Sequence, residues 1–565
     1  MHLTIGVTGH RDLVVEEIPA LKEKVRAFFQ QLQTEFPHLD LQLITPLAEG
    51  SDRLVADIAL EMGLSLIVPL PMPQADYERD FISPAAVETF RESLNNARVI
   101  NLRTVPEAQG QPMTEAVRDR QYAQLGIFIS NHSHILLALW DGNPSAAPGG
   151  TSAVVNYHLT AVMPGYSVVD DSPNLLAENE NDLVYHVTCS RNRPGGQPRA
   201  DLQPLQTAWI TAHWGYERGD EMPLDYRVTL HRLQDYQRDI AKYRDAIESE
   251  GADLLENAPD IELPVGTRSI AKQHRTADWL AIHFQKRISF GLISIYSMAV
   301  VAGLVFMLYS EFDGLDFLVN LFLLAFVAGF VLYKIGERRQ WHRKHLDYRA
   351  LAEGLRVQFY WSLAGVIDVQ SAEFAYDNFL QKQDVDLEWI RHVMRNVSLA
   401  RSRDNVPDDA WVDWVIEQWV GDEGSRTSQL SYYKRKEQEK AGRFRRTTWL
   451  GKIALGVGIL IAVVLAIAGT DMSENQKNTL LVLMGLFPLI AGVRDAYSHK
   501  KAEKELIKQY RFMRGVMANA RRLLDGSDDP GFRRRVLRAL GNAALEEDAE
   551  WILMHRERPL EHSGI

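Results

Sequence analysis

The sequence predicts an α/β, Rossmann-like doubly wound domain followed by an α-helical membrane region of two helical hairpins, four spans in all. Three observations point there. Over residues 1–165 short apolar runs alternate with amphipathic helical stretches, as in a parallel sheet with crossover helices. Between residues 288 and 493 lie four apolar runs without a single Asp, Glu, Lys, Arg or His. Basic residues cluster on one side of those runs, the loop between the third and fourth carrying a single lysine, Lys477, beside Asp471 and Glu474.

Composition sets the outer limits. With 565 residues, 46% hydrophobic and 24% charged, the chain is long enough for two to four domains and too apolar for disorder. A single cysteine, Cys189, excludes an intrachain disulfide and any cysteine-based metal cluster. The first residues lack a basic stretch followed by a long apolar one, so no signal or transit peptide is expected. Residues 1–170 carry 11 Lys and Arg against 20 Asp and Glu, which argues against a nucleic-acid partner.

The strand-like runs are Leu3–Val7, Leu39–Ile44, Leu64–Val68, Arg98–Leu102 and Ile135–Leu139. Helical spacing separates them over Glu16–Phe36, Ser51–Met62, Pro84–Ala97 and Glu115–Ser130, with Ser51 placed to cap the second helix. The unusual residues fall just past the strand ends, where open α/β sheets bind ligands. They are Thr8-Gly9-His10-Arg11, Glu49-Gly50-Ser51-Asp52-Arg53, Asp141-Gly142 and Gly149-Gly150-Thr151. Glycines ahead of a helix let backbone N–H groups approach an anion, so Gly9 and Gly149-Gly150-Thr151 read as phosphate contacts. Arg11 reads as a phosphate clamp, and Glu49 or Asp52 as acceptors for a ribose or base. Asp52 alternatively serves only its helix dipole, and Arg53 alternatively pairs with Glu49 or Asp57. His132 and His134 lack a matching carboxylate pattern, so no metal is expected.

Past residue 165 an Asn/Asp/Glu-rich stretch, Asp170 to Asp182, precedes a strand-like Leu183–Cys189. Arg191 and Arg193 beside Gly195-Gly196 read as a solvated turn, with a second phosphate contact as the alternative. A charged helix is predicted from Asp225 to Glu250. Trp411, Trp414 and Trp419 sit among acidic residues and are expected in a helical core.

The apolar runs are Ile288–Tyr309, Phe317–Tyr333, Ile453–Gly469 and Thr479–Val493. Lys286, Arg287, Lys334 and Arg338 flank the first pair, Arg443, Arg445, Arg494 and Lys500 the second; the loop between the first two runs is acidic. The positive-inside rule then puts both termini in the cytoplasm of a multi-pass inner-membrane protein. Tyr348-Arg349 and Tyr510-Arg511 lie at similar distances beyond their hairpins, which suggests an internal repeat. With no ionisable group inside a span, an ion-coupled transporter is disfavoured. Gly291, Ser294, Ser297, Gly485 and Gly492 permit close helix contact, and Asn320 is the one amide within a span.

Taken together, Ile5-Gly6-Val7-Thr8-Gly9-His10-Arg11, Ala48-Glu49-Gly50-Ser51-Asp52-Arg53, Tyr77-Glu78-Arg79-Asp80-Phe81 and Leu139-Trp140-Asp141-Gly142 with Gly149-Gly150-Thr151 resemble a SLOG domain over residues 1–165. That superfamily includes DprA and the lysine-decarboxylase-like LOG proteins. The resemblance implies a Rossmann-like domain binding nucleotides or nucleotide-derived signals, and in some members hydrolysing an N-glycosidic bond. Enzymatic LOG members carry a glutamate where Val154 falls here, so hydrolysis would need Glu49 or His10 instead. The hairpins, Trp414 to Trp419, Gln429 to Lys434 and the Tyr-Arg extensions resemble a SLATT membrane module over residues 266–526. Such fusions occur in bacterial anti-phage systems and imply membrane permeabilisation on sensing a nucleotide signal.

The expected organisation is a sensor (1–165), an extension and connector (166–265), a first hairpin with flanking helices (266–365), a helical connector (366–440), a second hairpin (441–526) and a helical tail (527–565). The expected function is a membrane effector that binds a nucleotide second messenger, needs no cofactor, and opens an oligomeric pore. The alternative is a membrane-anchored nucleotide N-glycosidase.

Overall fold

The structure is a computed structural model. It describes residues 2–102, 104, 113–145, 147–163, 182–212, 216–256, 258–263, 266–366, 379, 387–399, 409–422, 424 and 428–556. The acidic stretch expected at 170–181, parts of the 366–440 connector and residues 557–565 of the tail lie outside these.

An eight-stranded sheet occupies the N-terminal region, its strands being β1 His2–Gly9, β2 Asp40–Ile44, β3 Ser65–Leu70, β4 Arg98–Asn101, β5 Ile135–Trp140, β6 Val184–Thr188, β7 Thr207–Thr211 and β8 Glu217–Gly219. The order is β4-β3-β2-β1-β5-β6-β7-β8. Pairing is parallel from β4 through β6 and antiparallel for β7 and β8. Chain direction across the sheet reverses between β1 and β5, whose register pairs Gly9 with Leu139.

The helices of this region are α1 Ile18–Glu35, α2 Ser51–Glu61, α3 Gln74–Tyr77, α4 Pro84–Asn95, α5 Glu115–Asn131, α6 Thr151–Thr160 and α7 Leu224–Glu250. Those that follow are α8 Thr267–Glu311, α9 Leu318–Arg338, α10 Trp341–Ala364, α11 Glu388–Ser398, α12 Asp409–Val415, α13 Gln429–Ala468, α14 Glu474–Lys500, α15 Glu503–Asp525 and α16 Pro530–Arg556. Packing divides the chain into two compact units. The first takes the described residues of 1–248, 263–270 and 367–406, and the second those of 249–262, 271–366 and 407–565.

In the first unit, alternation along the strands sends successive side chains to opposite faces. Leu136, Ala138 and Val184 join Leu125, Ile129 and Val154 of α5 and α6 in one buried cluster. Their neighbour Tyr185 faces the other way and stacks on Phe28 of α1 at 4.3 Å, with Trp209 alongside. Burying Phe28 against both aromatics contributes about 2–3 kcal/mol. Helix α11 joins the same unit through Asn396, which accepts from the Thr4 hydroxyl at 2.9 Å, and His392, which stacks on His134.

The second unit contains four helices long and apolar enough to cross a membrane: α8, α9, α13 and α14. Only 22% of the most apolar stretch of α8, and 6% of those of the other three, is buried within the chain. Phe326, Leu324, Leu460 and Ile467 are more than 60% exposed, a quantity of apolar surface that water does not tolerate. Close approaches use glycine: a side chain at Gly303 would collide with Leu489, and one at Gly485 with Met307, so α8 lies against α14. Asn320 is exposed, near the start of α9.

The repeat is visible in the backbone. Helices α9 and α10 are separated by Gln340 at φ +51°, and α14 and α15 by Ala502 at φ +48°. Tyr348 and Tyr510 each lie eight residues past these left-handed breaks. Trp411, Trp414 and Trp419 are buried as expected, Trp419 stacking on Tyr360 at 5.1 Å.

Candidate ligand-binding site

A cleft of about 480 Å³ opens at the C-terminal edge of the sheet, between the loops that follow β1, β2 and β5. Its walls include Thr8 and Gly9 from the end of β1, His10 and Arg11 from the loop that follows, and Asp52 from the start of α2. Asp141 and Gly149-Gly150-Thr151 come from the loop between β5 and α6. Nine of the residues singled out in the sequence therefore meet in one place.

His10 ties the loops together. Its backbone N–H donates to Leu139 O at 3.1 Å, and its carbonyl accepts both the Ser51 N–H at 3.0 Å and the Ser51 hydroxyl at 2.8 Å. The ring Nε2 sits 3.1 Å from the backbone nitrogen of Asp141 and 3.1 Å from its Oδ1. Burial alone would raise the Asp141 carboxyl, but the hydrogen bonds from His10 and the Asn143 N–H outweigh it and hold it below its usual value.

Ser51 does not cap α2, contrary to its sequence position. The cap is Gly50, at φ +84°, because the turn is pressed against the Arg11 backbone where a Cβ would collide. Ser51 is fully buried and spends its hydroxyl on His10. Glu49, Gly50, Ser51, Arg53 and Gly142 do not line the cleft. Glu49 accepts the Ile82 N–H at 3.2 Å, Arg53 donates to Ala86 O and lies over the Phe81 ring, and Gly142 packs on Leu202.

The cleft is rich in donors. Gly149, at φ +69°, runs so close to the Tyr122 backbone that no side chain fits. Helix α6 has no side-chain cap, so its first N–H groups are open to a ligand. Ser152 holds the loop by accepting from the Ser145 N–H. Arg11 is exposed and lies 5.6 Å over the Tyr122 ring. Partial burial opposes its charge, but Tyr122, Tyr77 and Asp52 raise its pKa on balance.

Two cationic residues in the wall, Arg191 and Arg193, belong to the turn expected to be solvated. Asn192 N–H donates to Asp12 O at 2.7 Å, which brings that turn onto the loop after β1. Arg191 pairs with Asp12 at 2.9 Å, whereas Arg193 and Arg11 have no carboxylate within ion-pair distance among the described residues. Asp52 is buried, and this pushes its carboxyl up to about 7 against the field of Arg11 and hydrogen bonds from Ala48 and Thr45. The cleft thus combines two guanidinium groups without a carboxylate partner among the described residues, uncapped helix N–H groups and a carboxyl half-neutral near pH 7, which suits an anion. Tyr122 and Trp140 add aromatic surface. Arg191 and Arg193 thus take the alternative place the sequence offered, beside a phosphate site, and Tyr77 comes from one of the motifs of the resemblance; Tyr122 carried no sequence signal.

Val154 lies in the cleft wall with its side chain against Gly126. Comparisons with protein families, curated proteins and solved structures returned no match.

Proposed function

We propose that the chain is a ligand-gated membrane effector: a SLOG-like, doubly wound Rossmann-like sensor binds a nucleotide-derived second messenger, and a SLATT-like helical region permeabilises the inner membrane as an oligomeric pore. The observation that carries the first half is the donor-rich cleft at the point where sheet direction reverses between β1 and β5. Its volume falls in the range of small-molecule sites, and its anionic preference fits a phosphate-bearing ligand. The second half rests on four apolar helices whose surfaces the chain itself leaves uncovered. Four spans enclose little aqueous space, so a pore requires several copies. The basic flanks support cytoplasmic termini. A place in anti-phage defence follows from the resemblance alone.

Binding without turnover is the simpler reading. Glu49 is occupied outside the cleft, His10 commits its Nε2 and its backbone to the scaffold, and Val154 brings no acid or base.

The test is thermal unfolding of the full chain in detergent with a panel of nucleotides, cyclic dinucleotides and ADP-ribose derivatives, each recovered and analysed by chromatography. Saturation at 100 times Kd stabilises by about 2.7 kcal/mol. A shift with the ligand recovered intact supports the sensor. Conversion to base and sugar phosphate makes the N-glycosidase the better description.

A further inference from the structure

The second hairpin carries a group of cations at its basic end that the proposed sensing function does not use. Arg494, just past the apolar part of α14, is pinned to α13: its Nη2 donates to Thr447 Oγ1 and Thr448 Oγ1, both at 2.7 Å, and its guanidinium lies 5.3 Å from the Phe444 ring. Lys504 of α15 approaches the same ring, at 5.9 Å. Lys501 lies 5.0 Å from the Tyr497 ring. Lys440 is partly buried one helical turn before Phe444. Its pKa is lowered first by burial and then by the positive field of Lys501 and Arg443, with Glu439 opposing.

Like charges held this close by fixed helices are costly unless a counter-anion is present. Among the described residues, no carboxylate lies within ion-pair distance of Lys440, Arg443, Lys501 or Lys504. Arg494 itself pairs with the exposed Asp495 at 3.3 Å, while at the first hairpin Lys334 pairs with Glu337 at 2.6 Å and Arg343 with Asp347 at 2.9 Å. The group also adjoins Trp449 and Leu450, each more than 60% exposed, where the apolar surface of α13 begins. A ligand there meets positive charge at one end and apolar helix at the other. That is the chemistry of an anionic phospholipid.

We infer that Lys440, Arg443, Arg494, Lys501 and Lys504 form a binding site for the phosphate headgroup of an anionic phospholipid, whose acyl chains lie along α13 and α14. The site rests on the reading of these helices as membrane spans. Headgroup phosphate would accept from the lysines while Arg494, already oriented by Thr447 and Thr448, supplies a fixed positive wall.

Native mass spectrometry of the detergent-solubilised full chain, with equimolar phosphatidylglycerol and phosphatidylcholine, tests this. The expected result is preferential retention of phosphatidylglycerol, reduced at least about tenfold in a Lys440→Gln, Lys501→Gln, Lys504→Gln variant. An Arg338→Gln, Arg339→Gln variant at the first hairpin should keep the preference, and melting temperatures show whether both variants are folded. Equal retention of the two lipids overturns the site, as does an unchanged preference in the triple variant or an equal loss in the first-hairpin variant. Displacement of the lipid by millimolar inorganic phosphate would make it a free-anion site instead, and also overturns the lipid assignment. A chain that stays in the aqueous phase of a detergent phase separation overturns the membrane reading itself.

Discussion

The imidazole of His10 lies 3.1 Å from both the backbone nitrogen and the carboxylate of Asp141, so the end of β1 is fastened to the end of β5 through one side chain. With Nε2 engaged and its carbonyl accepting twice from Ser51, His10 works as a fastener. His10→Ala should therefore lower stability by about 1–3 kcal/mol and weaken ligand binding together, measured by denaturant unfolding and calorimetry. A catalytic base would instead lose turnover at unchanged stability.

Asp52 sets a pH dependence. Its folded-state pKa of about 7 lies above its usual value, so it is neutral below that pH and charged above it. An anionic ligand should bind more weakly as pH rises from 6 to 8, and Asp52→Asn should flatten the profile. Stability follows the same sign: the proton held by the folded state favours folding at low pH, and that contribution is lost as pH rises from about 4 to about 7.

Among the described residues, Arg11 and Arg193 are the cleft-wall cations without a carboxylate partner. Replacing either with Gln should weaken binding of a phosphate-bearing ligand about tenfold, roughly 1.4 kcal/mol, with stability nearly unchanged. Arg191→Gln should act differently, because it releases Asp12 and loosens the turn. Calorimetry at two salt concentrations separates these effects.

Gly149 must be glycine for two reasons, its φ of +69° and its contact with the Tyr122 backbone. Gly149→Ala should cost more than about 1 kcal/mol and abolish ligand-induced stabilisation. Gly195, also at positive φ but with nothing near its Cβ position, should tolerate alanine in binding, the substitution costing only the left-handed backbone strain.

In the second unit, burial pushes Glu547 up to about 7, with Arg349 opposing and Glu353 and Glu550 adding to the rise. It shares this surrounding with Asp548 and Tyr433. The folded state holds a proton that the unfolded chain releases near pH 4.5, so stability should fall as pH rises from there to 7. Glu547→Gln should remove a slope on the order of 2–3 kcal/mol over that interval, read as the difference between the two unfolding profiles.

Strands β1 to β6 were legible because each is a short apolar run bounded by polar turns, and the four apolar helices because no charge interrupts them. Strand β7 hides in Thr207–Thr211 after a polar loop, and the three residues of β8 carry two charges, so neither shows a run. Ser51 failed as a cap because the contact that excludes it, Arg11 on Gly50, is forty residues away in sequence. Arg193 was read first as part of a solvated turn because the contacts that bring that turn to the cleft, Asn192 N–H and the Arg191 side chain on Asp12, are long-range. Glu49 looked like a ligand acceptor from its motif, yet it spends its carboxylate on the Ile82 N–H.

The central claim couples ligand binding to membrane permeability. The direct measurement is dye release from phosphatidylethanolamine–phosphatidylglycerol vesicles containing the full chain, with each nucleotide that raises its melting temperature. Release on adding such a ligand, needing about tenfold more of it in Arg11→Gln, is the predicted result. Vesicles that stay sealed, or that leak equally with and without every ligand that binds, would contradict it.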